Sequence, residues 1–538
     1  MKVIKPNLLS PVDGSFSRAS AGTYWNASGV LSIAGNNAPR INYNPATKEF
    51  EGVMLEQAAT NLVFNSEDLT NASWVKTNVS ISSNSASAPD GTTNADKIIG
   101  TAGSTSRSIK SNSASLTDTF CTASGFFKAG EFSRVKLLID NTVNQVGAIF
   151  DLTLGKLVSV DPDVADFINL SAAIESVGSG WFRCSLTAYK QSVNSNVSVV
   201  CKYLDSLNNE PLGNGSTGLL MWAMQLETGQ KSTSYIKTTT SAATRAADVV
   251  TGSGLVYTDL TDPTPLYSSV TTYALGAKVR FNNTIWESLQ ASNTNHSPDA
   301  SPTWWLSLGS DNIHAAFDNI VGTESKATGS MTLILKPGVI DSISMINLQA
   351  AVTKIAVTDP VEGTVYSQTL GMSGASVYDW YQYFFYDPLL KRTQIAITDI
   401  PQYVNALVTI QIEGDIAELV SVAQIILGVS YYFGGTSYGA TSGLIDYSTK
   451  ETDEFGNITF VKRAFSKRLS AQVYVDNYNL NRVQTFLYSI RATPVVWIGA
   501  EDPLLEEALI IFGFYREFSV DIAYPSFAMC SLDIEGLT

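Results

Sequence analysis

Leu469-Ser-Ala-Gln-Val-Tyr-Val-Asp476 alternates apolar and polar side chains one for one. That period of two belongs to a strand, whose successive side chains face opposite ways, and not to a helix, whose apolar positions recur every three or four residues. Arg134-Val-Lys-Leu-Leu-Ile-Asp140, Asn196-Val-Ser-Val-Val-Cys-Lys-Tyr203 and Leu407-Val-Thr-Ile-Gln-Ile-Glu413 read the same way. Each is rich in β-branched residues and lies between turn clusters. Helical pattern is sparse, with short candidates at Asn479–Ile490, Pro503–Leu509 and Val164–Val177. The chain is therefore predicted to be mostly antiparallel β, built from sandwiches with polar outer faces, its C-terminal part adding a little helix.

Composition narrows the function classes. A length of 538 residues allows three or four domains. Lys and Arg total 34 against 49 Asp and Glu, a formal charge of −15, which disfavours nucleic acid and adhesion to anionic lipid. Charged residues make up only 15%, so Ser, Thr, Asn and Gly must solubilise the surface, as in Ser80–Ser87 and Thr101–Thr117. The cysteines at 121, 184, 201 and 530 form no CxxC pair and no disulfide framework. Pro6, Pro11 and Asp13 interrupt any signal-peptide core. The longest apolar run, Ile416–Phe433, contains Glu418 and Gln424 and is predicted to be buried strand or core helix with no membrane insertion.

Two polar, small-residue stretches, Thr238–Gly254 and Leu306–Asn312, divide the chain. They predict an N-terminal domain over 1–250, a small module over 255–312 and a C-terminal domain over 313–538. Within the first, Trp74, Trp181 and Trp222 read as core residues, because a large ring buries about 150–250 Å². Asp161-Pro-Asp163-Val-Ala-Asp166 offers oxygen ligands but matches no EF-hand spacing, and reads as a solvated turn with no metal.

The ends of the first domain carry a resemblance. Phe16-Ser17-Arg18-Ala19-Ser20-Ala21-Gly22-Thr23-Tyr24-Trp25, then Glu56-Gln57-Ala-Ala-Thr60-Asn61-Leu62-Val63, and at the far end Met224-Gln225-Leu226-Glu227 with Thr244-Arg245-Ala246-Ala247-Asp248, resemble the lead-in and exit of LamG/concanavalin-like modules in phage and prophage tail proteins. The resemblance covers about residues 10–250. It implies a jelly-roll β-sandwich of a class that often binds glycans.

The small module concentrates aromatic residues. Tyr267, Tyr273-Ala-Leu-Gly276-Ala-Lys-Val279, the turn Asn282-Asn283, Ile285-Trp286 and Pro302-Thr303-Trp304-Trp305 resemble the small carbohydrate-binding modules of chitinases and phage fibres, with their pattern Tyr-x-x-Gly-x-x-Val, an Asn turn, a strand and a terminal Trp. The resemblance implies a three-stranded scaffold on which Tyr267, Tyr273, Trp286, Trp304 and Trp305 stack on pyranose faces. An alternative is that the rings only fill a miniature core. Where such modules place a further exposed tryptophan, this chain has Leu289-Gln290.

From about residue 315 on, Gly439–Asn457, Val495-Val496-Trp497-Ile498-Gly499, Gly513–Phe518 and Cys530–Leu537 resemble the C-terminal region of phage minor-tail or tail-tip proteins. That implies attachment and assembly. The mixed charges of Lys450–Glu454 and Lys462–Arg468 suit hairpin faces or a polar interface.

Catalytic patterns are weak. Gly435-Thr436-Ser437-Tyr438-Gly439 follows a strand-like segment as a nucleophile elbow would, but loop composition follows it, and the two histidines, His296 and His314, lie upstream where that fold requires one downstream. Neither HExxH nor a phosphate-binding GxxxxGK[ST] occurs. Two carboxylates suffice for glycoside hydrolysis, and Asp379 and Asp387 are candidates without distinguishing spacing. The sequence thus predicts a non-enzymatic virion protein of the tail tip or baseplate, without cofactor or metal. Its predicted partners are other tail proteins and host cell-surface glycan, the latter contacted through both the β-sandwich and the aromatic module, and it is predicted to act as a homo-oligomer, a trimer by analogy. The alternatives are a tail-associated glycan depolymerase and a purely architectural baseplate protein.

Overall fold

The computed structural model describes all residues except 8–12, 192–195, 373–379, 381–383, 385–391, 416, 453–457, 464, 501–508, 523 and 538. The opening stretch is part of the strand Phe465–Asp476, whose residues 469–476 alternate buried and exposed without a break. The mostly β expectation holds. Two compact units form, one of Phe16–Val250 and one of Met1–Ser15 with Thr251–Thr538.

The unit Phe16–Val250 is a β-sandwich. One antiparallel sheet runs Phe167–Ser176, Trp181–Lys190, Thr119–Lys128, Gly218–Thr228, Ala95–Gly100, Val79–Ala86; the other centres on Gln145–Asp151, Arg134–Asp140 and Asn196–Leu204. Cys121, Ala123 and Phe127 from the first meet Leu137, Ile139, Val199 and Cys201 from the second in one core. Burial pushes the Cys121 thiol up to about 12, and Cys201 rises too, so these thiols behave as small apolar groups. Trp74, Trp181 and Trp222 are each 2% exposed, as predicted. Val164–Val177 is not a helix. Phe167–Ser176 is an edge strand paired with Trp181–Lys190 across a turn where Gly178 and Gly180 have φ of 81° and 77°, and that pairing overrides a weak helical pattern.

The lead-in motifs have a structural explanation. Arg18 bonds Asp248 at 3.1 Å, Arg40 bonds both Asp248 and Glu56, and Arg245 approaches Glu56 at 3.3 Å, all in the interior. Arg18, Arg40 and Arg245 are at most 1% exposed. The two ends of the domain, about 190–230 residues apart in sequence, are thus clamped by a buried ionic network whose charges are expensive to leave unpaired. Burial alone would raise Glu56. Arg40, Arg245 and the hydrogen bonds from Ser234 hold its carboxyl below the usual range.

The second unit corrects the predicted boundary. Residues 1–15 do not belong with the N-terminal domain: Lys2–Pro6 is a central strand of a ten-stranded sheet, paired with Gln424–Tyr432 on one side and Val495–Ile498 on the other. Val3 and Ile4 are fully buried there. The run Ile416–Phe433 supplies the strands Leu419–Val422 and Gln424–Tyr432. A five-stranded sheet, Gly254–Thr258, Ser330–Lys336, Leu407–Glu413, Val352–Asp359, Gly363–Gly371, shares a core with one end of the larger sheet. The predicted helix at Asn479–Ile490 is present as Leu480–Ser489, burying Val483 and Leu487 against the other end. All of Pro503–Leu509 but its last residue lies outside the described residues.

Gly254–Thr258 also corrects the module's start, since it pairs with Ser330–Lys336 instead of the module's own strands. The aromatic segment is an insertion between those two strands. Asn312 closes its neck, accepting from Lys326 N–H and donating to the Thr261 and Lys326 carbonyls, while Asp262 accepts from Asn312 N–H at 2.8 Å.

Candidate functional site: the aromatic module

The module folds around one hairpin. Lys278–Phe281 and Thr284–Ser288 pair antiparallel across the two-residue turn Asn282-Asn283, whose φ of 49° and 61° asparagine tolerates well. Trp305–Ser310 adds a third strand, and Thr272–Tyr273 pairs with Asn293–Thr294. Register places Val279 opposite Trp286 and Ser288 opposite Trp305, so these side chains share one face of the sheet. Lys278, Arg280, Ile285 and Glu287 take the other.

The five predicted sugar-stacking residues divide. Tyr273 and Trp305 are 9% and 2% exposed and, with Val279, form the module's core. This corrects their assignment as platforms. The module has so few aliphatic residues in its centre that rings must fill it. Trp305 meets Tyr273 edge-on at 5.3 Å, its indole N–H donates to the His296 carbonyl at 2.8 Å, and the Tyr273 hydroxyl accepts from Ser268 N–H at 2.7 Å. Both rings and their polar atoms are consumed internally.

Tyr267, Trp286 and Trp304 are only half-buried, packed against that core. Tyr267 stacks on Tyr273 at 5.8 Å and stands edge-on to Trp305 and Phe281. Trp286 is fixed by its N–H to the Phe281 carbonyl at 3.2 Å. Trp304 lies flat on the His296 imidazole, 3.8 Å between centroids and 11° between planes. His296 is in turn held by Asn293, whose amide donates to Ser288. Three half-open rings are therefore locked before any ligand arrives, which spares the ordering cost of stacking. The sequence weighed His296 only as a catalytic histidine and did not point to the Asn293–Ser288 support; a histidine eight residues before a tryptophan carries no local signal of stacking.

At the neck, His314 bonds Asp311 at 2.7 Å through Nδ1 and Asp13 at 3.1 Å through Nε2. Burial opposes its charged form, but the two carboxylates outweigh burial and raise its pKa. Both histidines are thus engaged away from Ser437, whose hydroxyl lies 3.3 Å from that of Tyr474. Asp161, Asp163 and Asp166 bond separately to Lys136, to Asn169 N–H, and to Asn141 and Asn144. Asp379 and Asp387 lie outside the described residues.

The sequence singled out no concave site in the unit Phe16–Val250. A cleft of about 660 Å³ is present there, lined by Trp25, Asn42, Glu51, Glu175, Arg183 and Thr233 among others. Its walls come from segments more than a hundred residues apart, which no local pattern connects.

No family model matches the chain, and no curated protein matches it. Among solved structures it is similar to the N-terminal CBM22-1–CBM22-2 tandem domain of Xyn10C from Paenibacillus barcinonensis, at 10% identity over 69% of this chain and 98% of that one, with a TM-score of 0.21.

Proposed function

We propose that this chain is a non-enzymatic component of a tailed-phage tail tip or baseplate that contacts host cell-surface glycan. One observation carries the glycan half: Tyr267, Trp286 and Trp304 are half-open and each is fixed against a ring or a backbone carbonyl. Ring faces held rigid at a polar surface suit the apolar faces of pyranoses, whereas Trp305, sealed in the core, has none to offer. The tail half rests on the resemblance of residues from about 315 on, which in this reading anchor the chain to neighbouring tail proteins.

A few half-open rings give weak binding at each module. Several copies around a tail raise avidity by about 10²–10⁴ where geometry allows simultaneous contact, so the chain acts as a homo-oligomer, a trimer by analogy. The test is adsorption of particles carrying Trp286→Ala and Trp304→Ala, together with a glycan array. Loss of adsorption with normal particle assembly supports the reading. Unchanged adsorption with no array binding leaves an architectural role, and release of reducing ends from host polysaccharide replaces it with a depolymerase.

A further inference from the structure

We propose that the cleft in the unit Phe16–Val250 is a second glycan site, and that it takes an uncharged oligosaccharide in preference to an acidic one. This deepens the glycan reading above and rests on it. At about 660 Å³ the cleft is within the range of small-ligand pockets, about 300–1,000 Å³, and has room for more than one sugar ring.

Its lining combines one aromatic wall with fixed polar groups. Trp25, half-buried, meets Phe126 edge-on at 6.2 Å, and Phe126 itself is sealed. Asn42, 7% exposed, accepts from Trp25 N–H at 2.9 Å and donates to the Glu51 carboxylate at 2.7 Å, so one buried amide sets both the ring-bearing strand and an acceptor. Glu175 is exposed, and its carboxylate makes no hydrogen bond to a described residue. A ring beside oriented carboxylates and hydroxyls offers acceptors for sugar OH donors and a surface for C–H faces.

The charges decide the class. Arg183 donates to the Thr233 carbonyl at 2.6 Å and to Ser124 at 3.2 Å and forms no ion pair with a described residue; burial disfavours its charge, and Glu227, Glu175 and Glu56 support it from a distance. Glu56 is committed to Arg40, Arg245 and Ser234. A uronate or sialate entering the cleft would meet both Glu51 and Glu175 against Arg183, the one cation among the described lining residues. A neutral sugar would donate hydroxyls to the same two carboxylates, a charge-assisted bond of the stronger kind.

The experiment uses the full chain on an array of neutral and acidic oligosaccharides, in the wild type and in a Trp286→Ala, Trp304→Ala variant that disables the module. The disabled variant should still bind at least one neutral glycan and no polyuronate. Adding Glu175→Gln should weaken that binding at least tenfold with unchanged melting, Trp25→Ala should abolish it, and Glu175→Lys should admit acidic glycans. If the disabled variant binds nothing while the wild type binds, the cleft is not a site and the module's role stands. Preference for acidic glycans, or indifference to Glu175→Gln and Trp25→Ala, overturns the assignment. A wild type that binds nothing defeats the glycan reading itself.

Discussion

Tryptophan plays different parts in the two halves of this chain. In the sandwich, two full sheets supply aliphatic residues, and Trp74, Trp181 and Trp222 are sealed between and beside them, with Trp25 at the cleft alone half-buried. In the module, a three-stranded sheet has Val279 and little else, so rings must serve as core and surface at once: Trp305 is sealed while Trp304, the adjacent residue, stays half-open on His296. Ring content alone therefore says nothing about sugar contact. What matters is how much other apolar material a domain can call on.

The largest test of that contrast is Trp305→Ala. Removing a buried ring costs about 3–5 kcal/mol, more than a module of this size holds in reserve, so calorimetry should show the module's transition disappear while the sandwich melts unchanged. Trp181→Ala should cost a similar amount yet leave the sandwich folded. A module that stays folded without Trp305 would mean its rings are not its core.

Asp248→Ala probes the other region's device. It leaves Arg18 and Arg40 buried without their shared carboxylate, and the sandwich should lose about 3–5 kcal/mol in denaturant titration with the module unaffected.

The two regions should also respond to pH with opposite sign. Glu56 sits below its ordinary 4.5 in the folded sandwich, so its contribution is present above that value and is lost as pH falls through the folded pKa. His314 sits above its ordinary 6.5, so the tie it makes between Asp13 and Asp311 contributes fully below that value and fades as pH rises through the folded pKa. His314→Gln should flatten the second trend and leave the first. The smallest stability effect is expected for Trp304→Ala, about 1 kcal/mol, because a half-open ring loses little packing, while adsorption falls.

Much of the fold was legible because its signals are local. Alternation at Leu469–Asp476, the Asn282-Asn283 turn and the large rings of the sandwich each report on their own neighbourhood. The place of Lys2–Pro6 was not legible, since a strand's partners four hundred residues away leave no mark on its own five residues. The cleft escaped for the same reason. The division between Trp304 and Trp305 could have been foreseen: adjacent residues entering a strand point to opposite sides, so at most one of the two could be sealed on a given face. The ionic clamp explains why both ends of the first domain carry such a conspicuous pattern of Arg, Glu and Asp.

The central claim, that half-open rings and not sealed ones grip glycan, is tested most directly by fluorine NMR of the full chain labelled with 5-fluorotryptophan, which resolves its nine tryptophans. Titration with chito-, cello- and manno-oligosaccharides should move the Trp304 and Trp286 resonances, assigned by substitution, and leave Trp74, Trp181, Trp222, Trp305 and Trp497 in place. Movement confined to the sealed rings, or none across the series together with none for host surface polysaccharide, would contradict it.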